Sequence, residues 1–207
     1  MTVTEIKEIS KSKVQIMIDN EFAFVLYKGE LRSYHLKEHQ EIEIDVYEEL
    51  MRVVLPKRAK LRAMNLLKAR AYTTKQLRDK LKDGGYPLQI IEEALSYVSS
   101  YGYLNDERYT EEYIEYHKET KSRTQIMQAL IRKGIPMQVF EEMWEKCMAD
   151  EERNLEEEQI LAWMKKKNFN LAEADFVEKQ KFSAFLYRKG FQIDSIRSVL
   201  SLDITSI

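Results

Sequence analysis

The sequence holds one cysteine, Cys147, so no disulfide framework can staple the chain and a reducing compartment suits it. Cys147 falls on the apolar side of a predicted helix beside Met143 and Trp144, where it reads as a buried, inert thiol. No run approaches 18 apolar residues, and the opening MTVTEIKEISKSK has no apolar signal core. A soluble, cytoplasmic protein without membrane contact is expected. Neither sign of charge dominates, since 33 Lys and Arg face 35 Asp and Glu for a net charge of −2, which argues against a general nucleic-acid coat. A phosphate-binding loop is missing too, because Gly84-Gly85 follows a helix and no GKS or GKT comes after it. His35 and His39 are four apart but fall at a strand end and a loop, with no cysteine or carboxylate at ligand spacing. His117 stands alone, and Glu156, Glu157 and Glu158 are adjacent and so diverge around a helix. Catalytic residues, metal ligands and cofactors are expected to be none. The inventory suits binding.

What is present is a repeat. The pattern Leu-x3-Gly-apolar-x-apolar-x2-apolar-x2-apolar-apolar is met from Leu81, from Leu130 and from Leu186. Its glycines, Gly85, Gly134 and Gly190, are 49 and 56 residues apart. At each a helix should end, because only a residue without Cβ takes the left-handed position after a helix cheaply. Thr73-x-x-Gln76 and Ser122-x-x-Gln125 are capping boxes at the same 49-residue offset. Two independent features on one offset point to repeated three-helix units. In the third unit Asp175-x-x-Glu178 is a weak substitute for the box.

In chain order, Val14, Ile16 and Ile18, then Phe22 to Tyr27, then Leu31 to Leu36 read as a three-stranded antiparallel meander. A sheet so small should pack on a helix, which Ile42 to Leu55 can supply. Pro56 breaks or kinks that helix for want of an N–H. Beyond it, Leu61, Met64, Leu67 and Ala71 are expected to face inward from a helix over about 57–71. Asn105 or Asp106 caps the first helix of the second unit, and the tyrosines from 97 to 116 are expected to pack between helices. The expected fold is mainly α, with three tandem three-helix repeats forming an elongated curved rod and a small N-terminal antiparallel β-meander. The expected divisions are 1–56 for the meander plus helix, then 57–104, 105–150 and 151–207 for the repeats.

Charge is segmented along this frame. Arg58 to Lys82 carries nine basic residues against Asp79 alone, and Glu92 to Glu115 carries seven acidic ones against Arg108. Lys118 to Lys133 is basic five to one, Asp150 to Glu158 is acidic, and Lys165-Lys166-Lys167 with Arg188-Lys189 is basic again. Units that each present positive charge suit a polyanion or an acidic protein surface. The candidates are Arg62, Lys68, Arg70, Lys75, Arg78, Lys82, Lys121, Arg123, Arg132, Lys133, Lys165, Lys166, Arg188 and Lys189. Lys75, Arg78 and Lys82 share one helix face away from Leu77 and Leu81 and form a basic stripe. Arg132-Lys133 and Arg188-Lys189 have an equal claim as cations offsetting the carbonyl end of a helix, worth roughly 0.3–1 kcal/mol.

Arg70-x2-Thr73-x3-Leu77-Arg78-x-Lys80-Leu81, Gly102-Tyr103-Leu104-Asn105-Asp106-x-Arg108-Tyr109 and Ile126-x3-Leu130-x2-Lys133-Gly134-Ile135, in that order, resemble the RecX family of recombinase regulators. Asp19-Asn20-x-Phe22-Ala23-Phe24 is similar to the extension on many Gram-positive members. The resemblance covers about 12–200 and weakens after about 150. It implies a non-enzymatic modulator of RecA, active in homologous recombination, DNA repair and the SOS response. Such a protein binds the RecA nucleoprotein filament along its groove and suppresses ATPase, strand exchange and coprotease activity. The fourteen cations would then face acidic RecA surface, or single- or double-stranded DNA within the groove. A helical protein acting on DNA directly, or a helical-repeat adaptor for another partner, are the other readings. A monomer is expected.

Overall fold

The structure, a computed structural model, describes residues 1–148 and 152–201, the side chains of 152–154 excepted. The expected division between 150 and 151 and the start of the acidic segment at Asp150 lie outside the described residues. The chain divides into two compact units, Met1–Asn105 and Asp106–Ile207.

The first unit opens with a four-stranded antiparallel sheet in the order β3-β2-β1-β4, made of β1 (Thr2–Glu8), β2 (Lys13–Ile18), β3 (Glu21–Tyr27) and β4 (Gln40–Glu41). The meander is therefore displaced by one strand from the expected one. Residues 2–8 supply a strand that simple alternation misses, because the pairing of β1 with β2 shifts register between Val3 and Glu5. That bulge breaks the period of two. Residues 31–36, expected as a strand, instead follow or form the short helix α1 (Lys28–Ser33). The Glu30 carboxylate accepts the Tyr27 N–H at 2.7 Å and closes that helix start, and Arg58 pairs with the same carboxylate at 2.6 Å.

A helix then runs without interruption across Pro56: α2 (Ile44–Glu49), a π-helical turn over Leu50–Val54, and α3 (Leu55–Ala69). The Leu55 N–H reaches back five residues to the Leu50 carbonyl. Proline's missing N–H is absorbed by this wider turn, so the helix does not stop. The inward face of α3 also differs from expectation. Leu55, Ala59 and Ala63 are buried, whereas Leu61 is 58% exposed and Met64 39%. The helix starts upstream of Pro56, so its phase is set by Leu50 and Leu55. Alanines at 59 and 63 then let α3 approach α5 (Leu88–Ser100) closely.

Between them lies α4 (Thr74–Asp83), opened by the Thr73 and Gln76 box with both reciprocal bonds at 3.2 Å. Gly85, at φ +78°, ends the following turn, and its carbonyl accepts the Val25 N–H at 3.2 Å on the free edge of β3. That contact explains why Phe24, Val25 and Leu26 are all buried in a strand that should alternate. One apolar core runs from Val3 and Ile16 through Leu50 and Leu77 to Leu104.

The second unit holds α6 (Asp106–His117), α7 (Arg123–Arg132) and α8 (Met137–Met148), then α9 (Glu152–Lys166), α10 (Phe176–Arg188) and α11 (Ile193–Leu200). Ile114, Ile126, Leu130, Phe140 and Trp144 form one core, and Ile160, Phe182, Leu186 and Ile196 form another. Gly134 and Gly190 both have positive φ, +91° and +89°. The Asp175 box, weak by sequence, is complete: the Asp175 carboxylate accepts the Glu178 N–H at 2.7 Å and Glu178 returns the bond at 3.1 Å. The two helix triplets are joined by polar groups. Ser122 donates to the Lys189 carbonyl at 2.8 Å and Thr124 to the Gly190 carbonyl at 3.1 Å. Buried Glu156 accepts the Gln192 N–H at 3.2 Å and the Ser195 hydroxyl at 2.5 Å, which ties α9 to the start of α11.

Candidate functional site

Cations in the first unit divide by what holds them. On α4, Leu77 and Leu81 face the core and leave Lys75, Arg78 and Lys82 on the outer side. Arg78 is forked onto Glu92 of α5, with bonds of 2.7 and 2.9 Å, and Lys75 pairs with Asp79 at 3.2 Å. The Arg78 hydrogen bond holds the Glu92 carboxyl below its ordinary pKa. Much of the stripe's charge is thus compensated inside the unit, and Lys82 is exposed without an ion pair among the described residues. Arg62 and Lys68 are exposed on α3. Arg70, just beyond the last turn of α3, lies 4.4 Å over the Tyr72 ring.

In the second unit the structure gathers several candidates onto aromatic rings. Lys121 and Lys133, from either end of the α7 region, both sit over Tyr113, at 5.5 and 5.7 Å. Tyr113 in turn packs edge-on against His117 at 4.3 Å, and the Lys121 ammonium lies 3.3 Å from the His117 ring nitrogen. Burial first, then Lys121 and Lys133, push the His117 pKa below its ordinary 6.5. Lys166 and Lys189 converge on Trp163 in the same manner, at 4.9 and 5.2 Å. Trp163 meets Phe185 edge-on at 5.4 Å.

Lys133 and Lys189 occupy equivalent places: each is the last right-handed residue before a positive-φ glycine, and each turns its ammonium to an aromatic of the first helix in its triplet. A cation held over a ring gains roughly 0.5–1 kcal/mol at an exposed site and keeps its charge. Arg123 is different: it is wedged against Phe140 and Trp144, at 5.8 and 5.7 Å, and bonds to Glu141, so it holds α7 to α8. Arg132, Lys165 and Arg188 are exposed.

Sequence reasoning missed three features. Lys167 lies 5.5 Å over Phe185 and extends the Trp163 cluster. Tyr101, Tyr103 and Tyr116, expected between helices, are 61%, 55% and 82% exposed. Lys57, Leu61 and Met64 are exposed together on α3. Only the helix phase set at Leu50 could have revealed that last group.

Among the described residues no group of three or more His, Cys, Asp and Glu is placed to hold a metal ion. His35 and His39 are both exposed. Burial first, then Glu115 and Glu111, raise the Cys147 thiol pKa, which makes it a poor nucleophile. A groove of about 560 Å³ beside α10 is floored by Phe169 and Phe182 and is open to solvent. No helix among the described residues is long and apolar enough to cross a membrane.

Comparison with known proteins agrees with the architecture. Residues 59–97 match the family model of the RecX first three-helix domain, and residues 155–200 that of the RecX third three-helix domain. The chain is 32% identical over 204 residues to the regulatory protein RecX of Caldanaerobacter subterraneus subsp. tengcongensis, covering 98% of this chain and 100% of that one. It is 27% identical to the regulatory protein RecX of Clostridium acetobutylicum, covering 97% and 94%. Among solved structures, a regulatory protein RecX superposes with a TM-score of 0.64 at 19% identity, covering 97% of this chain and 99% of that one. RecX from Lactobacillus salivarius superposes at 0.62 with 20% identity, covering 72% and 96%.

Proposed function

We propose that this chain, which belongs to the RecX family of regulatory proteins, regulates the RecA recombinase by binding its nucleoprotein filament. It acts as a cytoplasmic, monomeric, non-enzymatic inhibitor that lowers ATP turnover, strand exchange and coprotease activity. The observation that carries this reading is the recurrence of a ring-supported lysine at the same place in two helix triplets, Lys133 and Lys189. Modest patches repeated along one chain add through effective concentration when the target is itself repetitive. The segments 57–104, 105–150 and 151–207 then serve as successive contact units, with 1–56 attached to the first. Impeding the movement of protomers that accompanies ATP turnover needs no chemistry from the regulator.

The test is DNA-dependent ATP hydrolysis by RecA on single-stranded DNA, with this protein added well below the RecA concentration. Turnover is expected to fall while the DNA remains RecA-bound. Inhibition only when the protein is abundant enough to cover the DNA would instead mark direct competition for nucleic acid, with a steep salt dependence. The triple substitution Lys75→Glu, Arg78→Glu and Lys82→Glu is expected to weaken inhibition with helicity retained. Full inhibition by that variant would remove the α4 stripe from the interface.

A further inference from the structure

One face of α3 has no partner among the described residues. Lys57, Leu61, Met64 and Lys68 follow at spacings of four, three and four, which places them in one stripe along the helix. The opposite side buries Leu55, Ala59 and Ala63, so the exposure of Leu61 and Met64 is imposed by the fold. Val53, one turn earlier in the π-helical segment, is 57% exposed. Neither Lys57 nor Lys68 has an ion pair among the described residues. From Leu50 to Arg78 the sequence contains no Asp or Glu. That sets this face apart from α4, where Lys75 and Arg78 are neutralised by Asp79 and Glu92. Lys60, at the border of the stripe, is likewise taken by Glu93 at 2.6 Å.

We propose that the Lys57–Leu61–Met64–Lys68 stripe docks an acidic amphipathic helix of a protein partner. The partner's apolar residues cover Leu61 and Met64, and carboxylates on its flanks meet Lys57 and Lys68. Charge chooses the occupant. A second copy of this stripe would set lysine against lysine. Nucleic acid would be drawn by the lysines, but bases stack on aromatic rings and the stripe has none. Aliphatic side chains between unpaired cations instead match the apolar row of a helix edged by carboxylates, met as one helix packs on another. The proposal deepens the regulatory reading and rests on it only for the partner's identity, the helix then belonging to the RecA filament.

The test uses the full chain with three fluorescent probes. One is a helical peptide with leucines on one face and glutamates on both flanks; the second has lysine for each glutamate; the third is a thymidine oligonucleotide. The glutamate peptide is expected to bind and the lysine peptide not to. Leu61→Ser with Met64→Ser should weaken glutamate-peptide binding at least about tenfold, the usual mark of apolar anchors at an interface. Oligonucleotide affinity should stay unchanged, and so should far-UV circular dichroism, since both side chains are exposed. Absent binding of the glutamate peptide, or equal binding by the double variant, would overturn the proposal. Loss of oligonucleotide binding in the double variant would reassign the face to nucleic acid. The same variant in the RecA hydrolysis assay separates the two ideas: inhibition by the native chain, retained in a variant that no longer binds the peptide, removes the RecA filament as the source of the docked helix and leaves the regulatory reading standing.

Discussion

Gly190→Ala perturbs a position where backbone conformation and close packing coincide. Its φ of +89° lies in the left-handed region, where a Cβ costs about 1–2 kcal/mol. A Cβ at 190 would also stand 2.7 Å from the Thr124 Cβ and 2.9 Å from the Ser122 hydroxyl. The Ser122 side chain cannot retreat freely, because it caps α7 and donates to the Lys189 carbonyl at 2.8 Å. Overpacking a site of this kind typically costs a further 1–3 kcal/mol. The expected total is about 2–5 kcal/mol, within the range of the larger single-substitution effects. The chain's two tryptophans, Trp144 and Trp163, both lie in the 106–207 unit, so their fluorescence during urea unfolding reports that unit alone. At a mid-range slope of roughly 2 kcal/mol per molar urea, the midpoint should fall by about 1–2.5 M. Gly102→Ala is the control. Its φ is +70° but nothing lies within 4 Å of an added Cβ, so it should cost only the conformational part, about 1–2 kcal/mol, read by circular dichroism. A Gly190→Ala midpoint within about 0.3 M of native would refute the packing argument.

Trp144→Ala should destabilise the second unit by about 3–5 kcal/mol, since its ring is buried against Phe140 and Arg123; a near-neutral urea midpoint would contradict the assigned core. Glu156→Ala should cost about 1–3 kcal/mol by stranding the Gln192 N–H and Ser195 hydroxyl, and Glu156→Gln should cost less because it keeps an acceptor. For His117 the folded pKa is lowered, so below the ordinary 6.5 the unfolded chain takes up a proton that the folded one refuses. Stability of the second unit should therefore be full above 6.5 and fall as pH drops from there toward the folded pKa. His117→Gln should flatten that fall in a series of urea midpoints, and an unchanged slope would exclude the histidine as its source.

Helix ends were the most legible part of the fold, because their signals are local. A threonine or serine three residues before glutamine, and a glycine after a leucine row, each act within one turn of the backbone. All three boxes and all three repeat glycines take the conformations those residues imply. The family resemblance rested on the same residues. The helix triplet beyond 150, where the motifs are loosest, still matches the third-domain model over 155–200.

What the sequence by itself determined is the set of helices in the repeated triplets, the repeated order of cap, helix, glycine and helix, and the segmentation of charge. Each follows from neighbours a few residues apart. Tertiary structure decided which side of a helix is wet and which cation is free. Leu61 and Met64 look like core residues until the π-helical turn at Leu50–Val54 fixes the phase of α3 and alanines take the contact with α5. Arg78 looks like a free cation until α5 brings Glu92 to within 2.7 Å. The strand at Thr2–Glu8 is hidden by a bulge that only its partner strand reveals. Local rules set backbone torsions, whereas burial and ion pairing depend on residues distant in the chain, and those meet only once the core has closed.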